Sequence, residues 1–400
     1  MGFFAKLFQR KAREPRYIEN NRIGYFNRQV SGVNVTPENA LQVSTVWACC
    51  AYLSQTIGQL PWSVMVERDG HRYVVKRSLV HYLLHTRPSP EWSPLQFKET
   101  LVHWAVRFGN GYAEIERDEL GRPWALHPIH PDRVHPMRDK DTDELYYEIV
   151  NDDGTRVELA AADMFHLRGF GDGPVGINVM RYAAESIGWA RAVQLFGAAF
   201  FGNNMNIGGL VQVDGIGVDG KKILENSLNA KHRGPGRAWR WIVGDRRMDV
   251  KPFATKLNEG QFLETNQHMV EEICRWFRVP PHKVMHLLRA HFNNVEHLGI
   301  EVVVDSITPW VMRLEQEADY KLFGNNSQGF YTKLNMRALL RGDFKSQNEG
   351  FEIMRRNGVL NGDEWRDLVD MDPIGPSKGG DRYLVQAQMV DMNKTASREG

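Results

Sequence analysis

Four histidines, His282, His286, His291 and His297, fall within sixteen residues, with Glu296 and Glu301 beside them. Imidazoles and carboxylates are the donors of a zinc-like site, so metal chemistry is the first possibility the chain offers. No HExxH signature accompanies them, and His282 and His286 directly follow Pro280-Pro281, which breaks any shared helical face. Loop histidines facing solvent or nucleic acid are the better reading, and no metal site is expected.

Nucleophilic and phosphate chemistry fare no better. The three cysteines are Cys49, Cys50 and Cys274, two adjacent and one distant, which gives neither a disulfide framework nor a CxxC pair. Each lies in an amphipathic helical pattern and is read as core. The chain has no GxSxG elbow and no GxxxxGK[ST] phosphate loop. Gly169-Phe170-Gly171-Asp172-Gly173 runs into Pro174 without a GxGxxG frame and is read as a plain turn. Asp141, Asp143 and Asp152-Asp153 sit among turn residues as solvated loops. The sequence therefore offers no catalytic residue and no cofactor site.

The elements around these residues are those of an ordinary folded protein. Four hundred residues call for more than one core, and 42% hydrophobic with 25% charged residues is a globular balance. A formal net charge of +1 excludes a basic coat that wraps nucleic acid in phosphate contacts. No stretch is apolar and long enough to span a bilayer, and the apolar-basic start at residues 1–11 lacks a signal peptide's core and cleavage site. Residues 1–35 are expected to be a flexible N-terminal arm.

Thr36-Pro37-Glu38-Asn39 is a helix start, with Thr36 as N-cap and Asn39 at the capping-box position. Val43, Val46, Trp47, Cys50, Leu53, Ile57 and Leu60 continue at helical spacing to Pro61. Residues 62–75 alternate around Asp69-Gly70, a hairpin signal. Helices are expected near 78–86 and 93–108, strands from 110 to 170, and a long helix from 177 to 201. A small insert at 206–256 reads as strands near 210–213, 239–243 and 249–254 with a helix near 219–231. It carries ten Lys or Arg against five acids, whereas 258–322 carries ten carboxylates against six basic residues. That acidic stretch reads as helices at 259–277 and 295–323, the second about 40 Å long and kinked at Pro309. A strand near 330–336, helices near 343–357 and 361–369 and a polar tail complete the chain.

Several short motifs, in order, carry a resemblance. They are Leu41-Gln42-Val43-Ser44-Thr45-Val46-Trp47-Ala48-Cys49-Cys50 leading to Gln59-Leu60-Pro61, then Gly109-Asn110-Gly111-Tyr112-Ala113-Glu114-Ile115. Leu126-His127-Pro128-Ile129 and Met164-Phe165-His166-Leu167-Arg168 follow, and then Phe277-Arg278-Val279-Pro280-Pro281. Asn293-Asn294-Val295-Glu296, Ile307-Thr308-Pro309-Trp310 and Asn357-Gly358-Val359-Leu360-Asn361-Gly362-Asp363-Glu364-Trp365-Arg366 complete the series, before Pro373 and Gly379-Gly380-Asp381. Together, across residues 40–383, the chain resembles the portal proteins of tailed bacteriophages, in the siphophage branch. The segment from His286 to His291 departs from the smaller polar loop common there.

The resemblance implies an α+β portal fold: an α+β wing, a two-helix stem, a small α/β clip insert, a long kinked tunnel helix and a C-terminal helical crown. On this chain the wing is 36–176, the stem helices 177–205 and 258–279, and the clip 206–257. The tunnel loop is 280–294, the tunnel helix and wing strand 295–342, and the crown and tail 343–400. The implied function is structural: a homo-oligomeric ring, dodecameric in the family, through which double-stranded DNA is packaged and ejected. Its implied partners are the terminase large subunit, the head–tail connector (adaptor) and the major capsid protein, with no membrane. Its implied location is the virion's capsid vertex, and the host cytoplasm during assembly. A conduit must hold DNA without gripping it, which suits an acidic stem and tunnel. Lys283, Arg289, His291, Asn293 and Asn294 are the expected DNA-facing donors of the tunnel loop, and Lys221, Lys222, Arg240, Arg246 and Arg247 the expected partner-binding residues of the clip. Two other classes compete: a metal-dependent DNA-processing enzyme built on the histidine cluster, and a different head–tail connector protein.

Overall fold

A computed structural model describes residues 15–18, 32–68, 70–203, 207–212, 217, 219–220, 222–223, 240–244, 259–286, 299, 301–324, 328–336, 339, 344–369 and 371–384. The chain divides into two compact units, Met1–Asn335 and Met336–Gly400.

The first unit opens with a short strand, β1 (Pro15–Tyr17), inside the segment expected to be a flexible arm. Thr36 then caps α1 (Pro37–Ala40) reciprocally with Asn39, as the sequence predicts. The helix expected to run on to Leu60 instead breaks at residues 41–43 and restarts as α2 (Ser44–Gly58). Val46, Cys49, Cys50, Leu53 and Ile57 of α2 are buried, at spacings of three and four. The hairpin of β2 (Trp62–Arg68) and β3 (His71–Val74) turns at Gly70, whose φ is +75°. A short α3 (Leu79–His81) passes into a π-helical turn at Tyr82–Thr86.

Helix α4 (Pro94–Phe108) has both end signals. Ser93 and Gln96 form its capping box, and Gly109 ends it in the left-handed region with φ +83°. Its face of Phe97, Leu101, Val102, Ala105 and Val106 is buried, and each such large side chain contributes roughly 1.5–3 kcal/mol. Lys98 on this helix is buried as well; its ammonium donates to the Leu60 carbonyl, and burial lowers its pKa to about 8.

Helix α4 lies over the sheet β5–β4–β9, formed by β4 (Asn110–Arg117), β5 (Pro123–Ile129) and, after an intervening layer, β9 (Met164–Arg168). That layer is the sheet β1–β6–β7–β8, from β6 (Val134–Asp139), β7 (Leu145–Val150) and β8 (Arg156–Ala160). Successive residues on a strand point to opposite faces. Phe165 accordingly meets Phe97 of α4, while Met164 joins Tyr112, Val134, Tyr147 and Ile149 between the two sheets.

The helix expected from 177 comes as α5 (Val179–Tyr182) and α6 (Ala184–Asn203). In the basic insert, β10 (Ile207–Gln212) and β11 (Arg240–Gly244) pair in parallel, which requires the long crossover between them. Helix α7 (Glu259–Phe277) has the bounds the sequence predicts and packs against α2 and α6. Buried Cys274 of α7 shares a thiol hydrogen bond with Cys49 of α2, two residues the sequence left unconnected.

The last helix of this unit runs over residues 301–323, with π-helical turns at Val303–Ile307 and Asp319–Phe323 around α8 (Thr308–Ala318). Pro309 follows directly on the wide turn Val303–Ile307, which makes room for its ring within the continuing helix. Strand β12 (Phe330–Leu334) then adds to β2, giving the order β12–β2–β3. In the second unit α9 (Phe344–Arg356) precedes α10 (Gly362–Leu368), which Asn361 and Glu364 cap reciprocally.

Candidate functional site

The motif Gly109-Asn110-Gly111-Tyr112 acquires a physical reason in this fold. Gly109 turns α4 into β4 at positive φ, and its carbonyl accepts the Gly169 N–H at 2.7 Å. A Cβ on Gly176 would overlap that same carbonyl, so three backbone segments meet where only glycines fit. The Asn110 side chain ties them together: Oδ1 accepts from the Gly176 N–H at 2.8 Å, and Nδ2 donates to the Gly176 carbonyl at 3.2 Å. Oδ1 also accepts from His166 Nε2 at 2.8 Å, while His166 Nδ1 meets the Tyr147 hydroxyl at 2.9 Å. Burial, with Arg168 and Lys321 nearby, holds the His166 pKa well below its ordinary value, so the ring is neutral. One tautomer satisfies both bonds: Nε2–H donates to Asn110, and Nδ1 accepts from Tyr147.

Helix residues 315–321 extend this closed region to two sheet edges. On one side Glu317 Oε1 accepts the His166 N–H at 3.0 Å, and Lys321 donates to the Ala161 carbonyl. On the other, Glu315 Oε1 accepts the Leu334 N–H at 2.7 Å, and Asp319 Oδ1 accepts the Thr332 N–H at 2.6 Å. The register follows from geometry. Four residues of helix rise about 6 Å and two residues of strand about 6.8 Å, so carboxylates at i and i+4 match N–H groups at j and j−2. Both edges are thereby closed to further strand pairing. Arg117 secures the far end, with Nε 2.8 Å from Asp163 Oδ1 and a second nitrogen 3.0 Å from the Lys321 and Ala162 carbonyls. Burial raises the Glu317 and Asp319 pKa values, which marks the cost these bonds offset.

This arrangement corrects part of the charge reading. Glu315, Glu317 and Asp319 belong to the acidic stretch expected to repel DNA along a channel, yet all three are turned onto backbone N–H groups. Sequence reasoning missed this role, although the Glu-x-Glu-x-Asp alternation at 315–319 was its trace.

Lys283 is the one expected tunnel-loop donor within the described residues. It sits in a 3-10 turn, Pro281–Val284, fixed from both sides. Helix α7 ends as the Val279 N–H reaches the Cys274 carbonyl at 3.0 Å, with Arg278 at φ +54°. Ser306 Oγ donates to the Arg278 carbonyl at 2.6 Å, joining that end to the helix beginning at 301. The turn closes with Lys283 N–H to Pro280 carbonyl at 2.9 Å and His286 N–H to Pro281 carbonyl at 3.1 Å, through Met285 at φ +63°. Burial and neighbouring Lys283 hold His282 below its ordinary pKa. Arg289, His291, Asn293 and Asn294 lie outside the described residues, as do Lys221, Arg246 and Arg247 of the expected clip. Of the other residues expected to bind partners, Lys222 falls in a short helical stretch and Arg240 opens β11. His291 and His297 are likewise outside, and among the described residues no three metal-ligating side chains converge. Nor is any described helix long and apolar enough to cross a membrane.

With this geometry in place, comparison with known proteins is informative. A family model described as phage portal protein matches residues 44–370. A probable portal protein of Streptomyces phage phiC31 is 29% identical, over 98% of this chain and 90% of that one. The portal protein of Enterobacteria phage HK97 is 24% identical, over 89% and 84%. Among solved structures, a chain from the virion of a native gene transfer agent particle aligns at TM-score 0.58 and 19% identity, over 87% of this chain and 96% of that one. The crystal structure of an HK97-family phage portal protein from Corynebacterium diphtheriae aligns at 0.55 and 16%, over 77% and 97%.

Proposed function

This chain belongs to the phage portal protein family, and from that premise we propose that twelve copies close into a ring at the capsid vertex, as the conduit for double-stranded DNA. It is a structural component of a bacteriophage virion and not an enzyme. The observation that carries the conduit reading is the match of the family model to residues 44–370, which includes both sheet edges and the turn that bears Lys283.

Within that reading, the unit of sheets with α2 and α4 is the wing, α6 and α7 are the stem, and the β10–β11 insert is the clip. Residues 280–294 form the tunnel loop, the helix 301–323 fixes it to the wing, and α9 with α10 makes the crown. Lys283, Arg289, His291, Asn293 and Asn294 centre the duplex at its narrowest passage. A few donors on a bolted turn suit this task, because many phosphate contacts would release counterions and arrest a moving duplex. The basic clip, with Lys221, Lys222, Arg240, Arg246 and Arg247, docks acidic surfaces of the terminase large subunit and then of the head–tail connector, while the wing faces the major capsid protein. Assembly takes place in the host cytoplasm before the ring enters the virion.

Negative-stain microscopy of the purified chain is expected to show rings with one central hole. Arg289→Ala and deletions within 287–294 are expected to impair DNA packaging or retention, and unchanged titres of filled particles would refute the loop assignment. Joint substitution of Lys221, Lys222, Arg246 and Arg247 by Ala is expected to weaken terminase or connector pull-down; equal capture would remove the clip assignment.

A further inference from the structure

A cavity of about 390 Å³ opens at the N-terminal half of the helix 301–323. Leu53, Val106, Ile177, Phe277 and Trp310 make it apolar, and Phe170 stands at its edge 74% exposed. Tyr182 and Trp276, which also line it, are exposed, as are Trp189 on α6 and Val304 on the helix itself. Exposed apolar side chains in and around a cavity mark an interaction site.

The cavity carries a net positive charge. Arg275 is paired with Glu271 and Glu272 on its own helix, while Arg278 and Arg313 have no carboxylate partner among the described residues, and Asp305, the one carboxylate of the lining, forms no ion pair with them. The Arg313 guanidinium instead lies 5.2 Å from the centre of the Trp310 ring, and Arg278 is its charged neighbour. Two unpaired guanidinium groups beside apolar walls call for an occupant with apolar side chains and carboxylates. The chain supplies that complement. Two of its sheet turns leave a carboxylate over: Glu119 follows β4 next to Leu120, which is 77% exposed, in a turn whose Asp118 is already paired with Arg122, and Asp141 follows β6. Neither Glu119 nor Asp141 has an ion pair among the described residues. The β4 turn also lies at the far end of the strand whose first residue, Asn110, is bound to the cavity side, roughly 24 Å away along seven residue steps. The cavity and the β4 turn therefore lie toward opposite ends of this strand, an arrangement that allows a head-to-tail contact.

We propose that this cavity is the docking site for a second copy of the chain, which enters with its acidic sheet-turn face in a head-to-tail contact. The inference rests on the ring reading above and adds the surface through which the ring closes.

The test uses the full chain and two variants, Phe170→Asp and Arg278→Glu with Arg313→Glu, all at exposed or rim positions. Circular dichroism and thermal melting first establish that each variant is folded, and sedimentation velocity then measures assembly. Either folded variant is expected to lose at least ten-fold in ring yield. Added to wild-type chain in equal amount, Phe170→Asp is expected to lower ring yield beyond simple dilution, because a copy with a blocked cavity still offers its other face and ends growth. Rings from both folded variants at wild-type yield would overturn the docking site and leave the ring reading standing. Absence of rings from the wild-type chain itself would overturn both.

Discussion

In its C-terminal half the helix 301–323 turns Glu315, Glu317 and Asp319 onto sheet edges, whereas in its N-terminal half Trp310 and Arg313 face a cavity. The same helix thus carries carboxylates bonded to strand N–H groups and, facing the cavity, Arg313 and Asp305 with no ion pair among the described residues. The difference separates two jobs. Completed bonds hold the subunit together, and uncompleted ones are available to something outside it. Substitutions in the two halves are therefore expected to move different observables.

The largest expected effect breaks the closed half. Glu315→Ala strands the Leu334 N–H and removes the Lys333 partner, and is expected to cost about 3 kcal/mol of stability. Phe170→Asp at the cavity edge is expected to change stability by less than about 0.5 kcal/mol while lowering ring yield at least ten-fold. Urea titrations of both variants check the contrast. Equal losses of stability would show that the two halves do not divide their work.

A smaller effect follows from the neutral histidines. His166 is held well below its ordinary pKa by burial and nearby cations, and His103 is lowered to about 4 by burial with Arg107 beside it. In both cases the unfolded chain binds a proton that the folded chain refuses. Stability is therefore complete above pH 6.5 and lost as the pH falls below it. For His103 the loss between pH 6.5 and 4 is at most about 3 kcal/mol, and partial solvent access makes about 2 kcal/mol the expected figure. His103→Gln is expected to flatten the stability profile across that window without changing ring yield at pH 7.5.

How much of this was legible from the sequence differs between the halves for a physical reason. Local signals were readable: the Thr36 and Asn361 caps, the Gly70 turn and the span of α7 depend on residues only a few positions apart. The break at residues 41–43 was hidden because Val43 keeps the helical period of its neighbours even though it starts a new helix as N-cap. Contacts across the fold were not readable. Glu317 meets the His166 N–H across 151 positions, and the acidic run at 315–319 looked like solvated charge until the sheet edges were placed beside it. The cavity has the same origin: Gly169–Gly173 reads locally as a turn, and only tertiary structure brings Gly169 and Phe170 into a cavity wall.

The smallest expected effect lies between the two halves of the comparison, in the turn that carries Lys283. Met285 holds φ +63° while its side chain is 87% exposed, so the left-handed backbone is strained and no packing offsets it. A non-glycine residue there costs roughly 1 kcal/mol relative to glycine, less the chain entropy that glycine adds to the unfolded state. Met285→Gly is therefore expected to change stability by about +0.5 kcal/mol, read as a slightly higher urea midpoint. A drop instead would mean that the exposed methionine makes a contact in the assembled protein. The same variant measured as ring and as dissociated subunit would locate that contact, because only the ring would lose stability.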